Sequence, residues 1–298
     1  FMNSINALEK YFVSFARCEM LLNVPFENNL FYADKLYNKL KEGSSTSELI
    51  KFENKIYVDK RDNAQANQQG NIVFTNFFAS YDSSDKYVLK NINIEILHGQ
   101  KIGVIGRTGA GKSSLVSALT LLFDNIEGQI FINGELINDK DKKLIRKNIS
   151  YLSQDSYFFE GTLRENINPL GDIDDNSLIT LLKEAEIYKK FENQKGLDYM
   201  LSGNKMNLSQ GEMQILCFIR IISSAKNIVI LDEATANIDI DSEHILEKMK
   251  NLYLKNKTVI TIAHRLNTVY DCDKIIILES GEIKTFANIK DLNDEDKK

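Results

Sequence analysis

The stretch "KIGVIGRTGAGKSSLVSALTLLF", Lys101 to Phe123, decides how the rest of the chain is read. It opens on a short apolar run, passes through glycines, and ends in an apolar segment of helical period. Inside it, "GRTGAGKSS", Gly106 to Ser114, matches the spacing G-x-x-x-x-G-K-[ST]. The match lies in the context that gives the spacing a mechanism, with a strand before it and a helix after it. Gly106, Gly109 and Gly111 let the backbone curl so that successive N–H groups of the loop, through Arg107, Thr108 and Ala110, turn toward phosphate oxygens. The helix opening near Lys112 adds the positive end of its dipole. Lys112 is expected to reach β- and γ-phosphates, Ser113 to ligate Mg2+, and Ser114 to complete the loop. The chain is therefore read as a nucleotide-binding protein.

Working outward, three further apolar runs end in groups that suit a phosphate. "IVIL" ends in Asp232 and Glu233; the first carboxylate can hold Mg2+ through its water shell, and the second can polarise an attacking water. "YLSQD" places Gln154 after another predicted strand, with an amide able to reach Mg2+ or that water. "TIAHR" places His264 after a third, where it can contact a γ-phosphate. Neighbouring parallel strands would bring Gln154, Asp232, Glu233 and His264 to one edge of a sheet, which is where open α/β folds hold their ligands.

The remaining pattern agrees with that architecture. "NIVFTNFFASY" and "YVLKNINIEIL" read as strands, the second alternating with period two over "LKNINIEI". "TVITIAH" and "KIIIL" are short β-branched runs of the kind buried in parallel sheets. Residues from about 156 to 225 read as mostly helical. The fold class expected is α/β, with a central, mainly parallel sheet and an antiparallel flank. Residues 1–58 carry helix-periodic stretches, "DKRDNAQANQQG" at 59–70 reads as a linker, 71–290 as the nucleotide-binding domain, and 291–298 as a polar tail.

Composition narrows the class. The formal net charge of −5 lacks the basic footprint of a nucleic-acid binder, so no nucleic-acid partner is expected. Cys18, Cys217 and Cys272 have no metal-like spacing and fit a reducing compartment. No apolar run approaches the roughly 18 residues of a membrane span, and no secretory signal opens the chain. The first residue is Phe1 rather than Met, so the sequence is read as a piece of a longer protein.

A second helix start also looks ready for an anion. "MNLSQGEMQ", Met206 to Gln214, sets a capping Ser and a flexible Gln-Gly-Glu ahead of the apolar "ILCFIRII". With this motif the set resembles the nucleotide-binding domain of an ABC transporter, over about residues 71 to 290. "GRTGAGKSS" resembles its Walker A loop, "IVILDE" its Walker B strand, and "LSQGE", Leu208 to Glu212, its signature. Gln154 falls at the Q-loop, Asp239 in "TANID" at the D-loop, His264 at the switch histidine, and Tyr81 at the aromatic position that stacks on adenine. The resemblance implies a P-loop ATPase fold with an inserted helical subdomain at about 156–225, and ATP and Mg2+ as ligands. It implies a head-to-tail pairing in which Leu208, Ser209, Gln210, Gly211 and Glu212 close over ATP held by a second nucleotide-binding domain.

"GRTGAGKSSL", "FFEGTLRENINP", "LDEATANID" and "TIAHRLNT" look most like the second such domain of subfamily C, the multidrug-resistance-associated proteins. That resemblance implies an ATP-hydrolysing motor on the cytoplasmic face of a membrane, joined to transmembrane domains that export an organic anion or drug. Residues 1–58 would then end a transmembrane domain. A regulatory ATP-binding module, as in the channel-like members of the subfamily, is the alternative, followed by a soluble ABC-type ATPase. The signature departs from the usual Leu-Ser-Gly-Gly-Gln at Gln210 and Glu212. A carboxylate close to a partner's phosphates is unfavourable unless it points away or binds a cation, so this half-site is expected to bind ATP and hydrolyse it poorly.

Overall fold

The computed structural model describes residues 70–81, 86–123, 125–137, 148–201, 208–232, 238–263 and 266–291. The readings made for residues 1–58, for the linker up to residue 69, for Glu233 and His264, and for residues 292–298 of the tail lie outside the described residues.

The alternating strand and the continuous apolar strands separate into two sheets, as their patterns require. β1 (Ile72–Ser80), β2 (Leu89–Ile96), β4 (Asn125–Ile132) and β5 (Glu135–Leu136) form an antiparallel sheet in the order β2-β1-β4-β5. In β2, Leu89, Ile92, Ile94 and Ile96 are buried while Asn91, Asn93 and Glu95 face out, which is the signature of one covered face.

The second sheet runs β12-β11-β3-β10-β9-β6. β3 (Lys101–Ile105), β6 (Ile149–Leu152), β9 (Ile228–Asp232), β10 (Thr258–Ile262) and β11 (Lys274–Glu279) are mutually parallel, and β12 (Glu282–Asn288) returns antiparallel to β11. β12 gives no strand signal in the sequence, because its half-exposed "EIKTFAN" lacks a clean apolar period. In β9 the pleat divides the side chains between two cores. Ile228 and Ile230 join the core shared with the antiparallel sheet, while Val229 and Leu231 join the core beneath the helices. A strand covered on both faces must be apolar at every position, which is why "IVIL" shows no alternation.

The helical segment is α2 (Leu163–Ile167), α3 (Asp175–Glu184), α4 (Lys189–Glu192) and α5 (Gln210–Ser223). A short antiparallel pairing of β7 (Gly161–Thr162) with β8 (Met200–Leu201) brackets α2, α3 and α4, and the sequence does not separate these strands from the helices. The helices start where side chains can cap them. Thr162 and Glu165 form a reciprocal capping box on α2, and Asp174 caps α3 through the Ser177 amide at 3.0 Å. α1 (Lys112–Leu119) and α6 (Ile240–Tyr253) complete the helices used below. Among the described residues, no helix is long and apolar enough to cross a membrane.

Candidate functional site

The parallel register brings the functional strand ends level. Asp232 lies opposite Ile262, Ile262 opposite Val104, and Leu231 opposite Leu152, so β3, β6, β9 and β10 finish along one edge. A cleft of about 510 Å³ opens there, and Thr108, Gly109, Lys112, Ser113, Gln154 and Asp232 all line it. Residues predicted from separate stretches of sequence are thus gathered at one cavity. Lys86, Tyr87 and Lys90, which the sequence reading passed over, line it as well. They sit at or just before the start of β2 and reach the cleft only because the antiparallel sheet flanks the phosphate loop. No spacing rule in the sequence could have found them.

The loop after β3 has the geometry of a phosphate cradle. Gly109 and Gly111 take positive φ values of 80° and 106°. At Gly106 an added Cβ would lie 2.5 Å from the Leu278 carbonyl, so a side chain is excluded there by the neighbouring strand. α1 starts at Gly111 without a side-chain cap, in contrast to α2, α3, α5 and α6. An uncapped first turn facing a cleft is the usual structural basis of anion binding. Lys112 is nearly buried, and its Nζ donates to the carbonyls of Gly106 at 2.7 Å and Arg107 at 3.3 Å. These neutral acceptors are weaker partners for an ammonium than phosphate oxygens.

The donors around the cleft also fit a hard divalent cation. Ser113, Gln154 and Asp232 offer a hydroxyl, an amide and a carboxylate. Mg2+ typically takes one or two carboxylates and completes its shell with water and substrate phosphates. Among the described residues no cluster of three or more His, Cys, Asp or Glu side chains could hold a metal by itself. Asp232 is oriented from the next strand: the Tyr151 hydroxyl donates to its Oδ2 at 2.9 Å. Burial and this bond to the carboxylate push the Tyr151 phenol above its ordinary range.

The segment after Gln154 is tied to α5. Ser156 donates to the Gln214 side chain, and Arg220 donates from Nε to the Asn166 carbonyl at 2.6 Å and from its terminal nitrogen to the Tyr157 carbonyl at 3.1 Å. The Arg220 guanidinium also lies over the Phe158 ring at 5.2 Å. In sequence Arg220 is one position of the apolar run "ILCFIRII", and nothing there marks this clamp.

Tyr81 is half exposed and lies beside the phosphate-loop helix rather than on the cleft wall. Its ring packs on Phe123 with centroids 4.4 Å apart, and its hydroxyl donates to Ser114 at 3.2 Å.

At "LSQGE" the structure amends the picture of a helix start with free amides. Ser209 caps α5 by accepting from the Glu212 amide at 3.1 Å, and Glu212 accepts in return from the Ser209 amide at 2.7 Å. The box occupies those two amides and leaves those of Gln210 and Gly211 outside it. Glu212 also accepts from Lys190 Nζ at 2.6 Å. Asp239 caps α6 in parallel fashion, and the Ser242 backbone N–H and then its hydroxyl hold the Asp239 carboxyl below the usual carboxylate range.

Comparison with known proteins gives the same direction. Residues 89–236 match the family model of the ABC transporter. Metal resistance protein YCF1 of Saccharomyces cerevisiae is 39% identical over 220 residues, covering 73% of this chain and 14% of that protein. ATP-binding cassette sub-family C member 4 of Homo sapiens is 38% identical over 219 residues, covering 73% of this chain and 16% of that protein. Vacuolar heme ABC transmembrane exporter abc3 of Schizosaccharomyces pombe is 32% identical over 271 residues, 91% of this chain and 18% of that protein. The chain thus spans between about a seventh and a fifth of the length of these relatives.

Proposed function

The chain belongs to the ABC transporter family through its ATP-binding domain, and on that premise we propose that it is the ATP-hydrolysing motor domain of a subfamily C exporter. The observation that carries the proposal is the single cleft at the ends of β3, β6, β9 and β10, lined by the phosphate loop, Gln154 and Asp232. The cleft sets a phosphate cradle beside oxygen donors suited to the Mg2+ that accompanies ATP, and Glu233, next in sequence to Asp232, adds the base that hydrolysis needs.

The reaction is the attack of water on the γ-phosphorus of ATP, breaking the bond to the bridging oxygen and yielding ADP and phosphate. The loop amides and Lys112 neutralise charge that develops on the γ-phosphoryl oxygens. Glu233 orients the water and takes its proton. His264 contacts the γ-phosphate, and the Tyr81 ring is offered to the adenine. Ser113, Gln154 and Asp232 would hold Mg2+, which would supply positive charge during phosphoryl transfer. Gln154 also links the cleft to the transmembrane domains, which the parent protein places in a membrane with this domain on the cytoplasmic face.

Leu208 to Glu212 and Asp239 serve a second nucleotide-binding domain in a head-to-tail pair. Residues 71–290 form the motor, and the match to the heme exporter, which extends into the residues before 70, supports reading 1–58 as the end of a membrane domain. An organic anion or drug is the cargo class that the subfamily supports.

The test measures ATP affinity and Mg2+-dependent turnover across protein concentration, beside Glu233→Gln and Lys112→Met. Turnover per molecule should rise with concentration, vanish in Glu233→Gln with ATP still bound, and lose ATP binding by about tenfold or more in Lys112→Met. Tight ATP binding without turnover at any concentration would instead support a regulatory ATP sensor.

A further inference from the structure

The carboxylate that stands where the family's usual signature has Gln is matched by a counter-charge from another helix. Lys190 on α4 and Glu212 on α5 approach to 2.6 Å across 22 positions of sequence. The same Glu212 oxygen accepts the Ser209 amide at 2.7 Å. The carboxylate is therefore folded back against its own helix start, held there from one side by a backbone amide and from the other by an ammonium.

Magnitudes separate two explanations for the pair. The side chains remain 36% and 28% exposed, and ion pairs of that exposure contribute ~1 kcal/mol or less to a fold. The capping box would survive without the charge, because Gln fills the same third position. Stability therefore gives no strong reason to place a lysine there. Electrostatics at the start of α5 does. An unpaired carboxylate would cancel the positive end of the helix dipole at the point where an anion is to be received.

We propose that Lys190 is a positioning residue for the nucleotide site formed between two domains. It neutralises Glu212 and holds it in the capping box, so the start of α5 remains able to receive the γ-phosphate of ATP bound by the partner domain. The proposal rests on the head-to-tail reading above. It also revises the expectation that "LSQGE" makes a poor half-site: with Lys190 in place, the Lys190–Glu212 pair presents no net charge at the start of α5.

Self-association of the full 298-residue chain carrying Glu233→Gln tests this, followed by sedimentation velocity with ATP and Mg2+ at low and high salt. Lys190→Met should weaken ATP-dependent association about fivefold at low salt, the size of one screened unit-charge repulsion over several ångströms, and less at high salt. Lys190→Arg should behave as the parent. Adding Glu212→Gln to Lys190→Met should restore association, and thermal midpoints should move little throughout. Unchanged association in Lys190→Met overturns the proposal, as does a loss that Glu212→Gln fails to restore. A Glu233→Gln chain that stays monomeric at every ATP concentration overturns the head-to-tail reading and the proposal together. An ATP-dependent dimer indifferent to Lys190 overturns the proposal alone.

Discussion

Asp232 reaches the cleft with one of its oxygens already bonded, because Tyr151 on β6 donates to Oδ2. A carboxylate that can rotate freely must lose that freedom when it takes a cation's water, whereas one held by a neighbour has already lost it. Partners of this kind commonly affect metal affinity by a factor of ten or more. Tyr151→Phe is therefore expected to raise the Mg2+ concentration for half-maximal ATP binding about tenfold. Affinity for ATP without Mg2+ should be unchanged, because Tyr151 does not line the cleft. Titration with Mn2+ in the presence of a non-hydrolysable ATP analogue reads the effect without turnover. Tighter cation binding in the variant would mean that the phenol competes with the metal rather than orienting its ligand. Asp232 and Gln154 were legible because each ends an apolar strand. Tyr151 was not, since its role depends on β6 pairing with β9, and those strands are separated in sequence by the whole helical segment.

At the scale of elements, the start of α5 was legible as a cap, Asp239 at the start of α6 only as a D-loop residue by resemblance, and their meeting was not legible at all. Gly211 lies in the first turn of α5, where the sequence offers only backbone freedom as a reason for glycine. In the fold, a Cβ at Gly211 would fall 2.2 Å from Ser242 Oγ and 2.7 Å from Asp239 Oδ2. The signature and the D-loop region therefore abut within one chain, and glycine is the residue that lets them. Two effects compete in Gly211→Ala. Helix propensity favours alanine by about 1 kcal/mol. The clash opposes it, and Ser242 cannot turn aside without losing its bond to Asp239 at 2.8 Å, part of a cap worth about 1 kcal/mol. Overpacking of this kind costs about 1–3 kcal/mol, so the clash should win. Urea unfolding should show a lower midpoint for Gly211→Ala, and Ser242→Gly in the same chain should recover part of the loss. A midpoint at or above that of the parent would mean that the two helix starts separate readily.

At the scale of the whole molecule, the division into an antiparallel and a parallel sheet was legible from strand patterns, since alternation marks one covered face and continuity marks two. How the sheets are joined at the nucleotide cleft was not, because the junction is made by backbone atoms and leaves no side-chain pattern. Gly281, in the turn between β11 and β12, donates its N–H to the Ala110 carbonyl of the phosphate loop at 2.9 Å. Its own carbonyl accepts the Lys90 amide of β2 at 2.8 Å. One residue thus links β2, the phosphate loop and the edge of the parallel sheet. A Cβ there would meet the Val88 carbonyl at 2.2 Å, and its φ of 84° already disfavours any side chain.

Gly99 supplies a comparison, with a similar φ of 81° and nothing within 4 Å of an added Cβ. Gly99→Ala should cost only the left-handed strain, about 1–2 kcal/mol, and leave ATP affinity unchanged. Gly281→Ala should cost more than that and also weaken ATP binding severalfold, because the cradle must shift to relieve the contact with β2. Thermal melting and titration with a non-hydrolysable ATP analogue separate the two effects. If both variants lose equal stability and neither loses affinity, the junction at Gly281 does not set the shape of the phosphate loop. If affinity falls only in Gly281→Ala, the flanking sheet is part of what holds the nucleotide site in form.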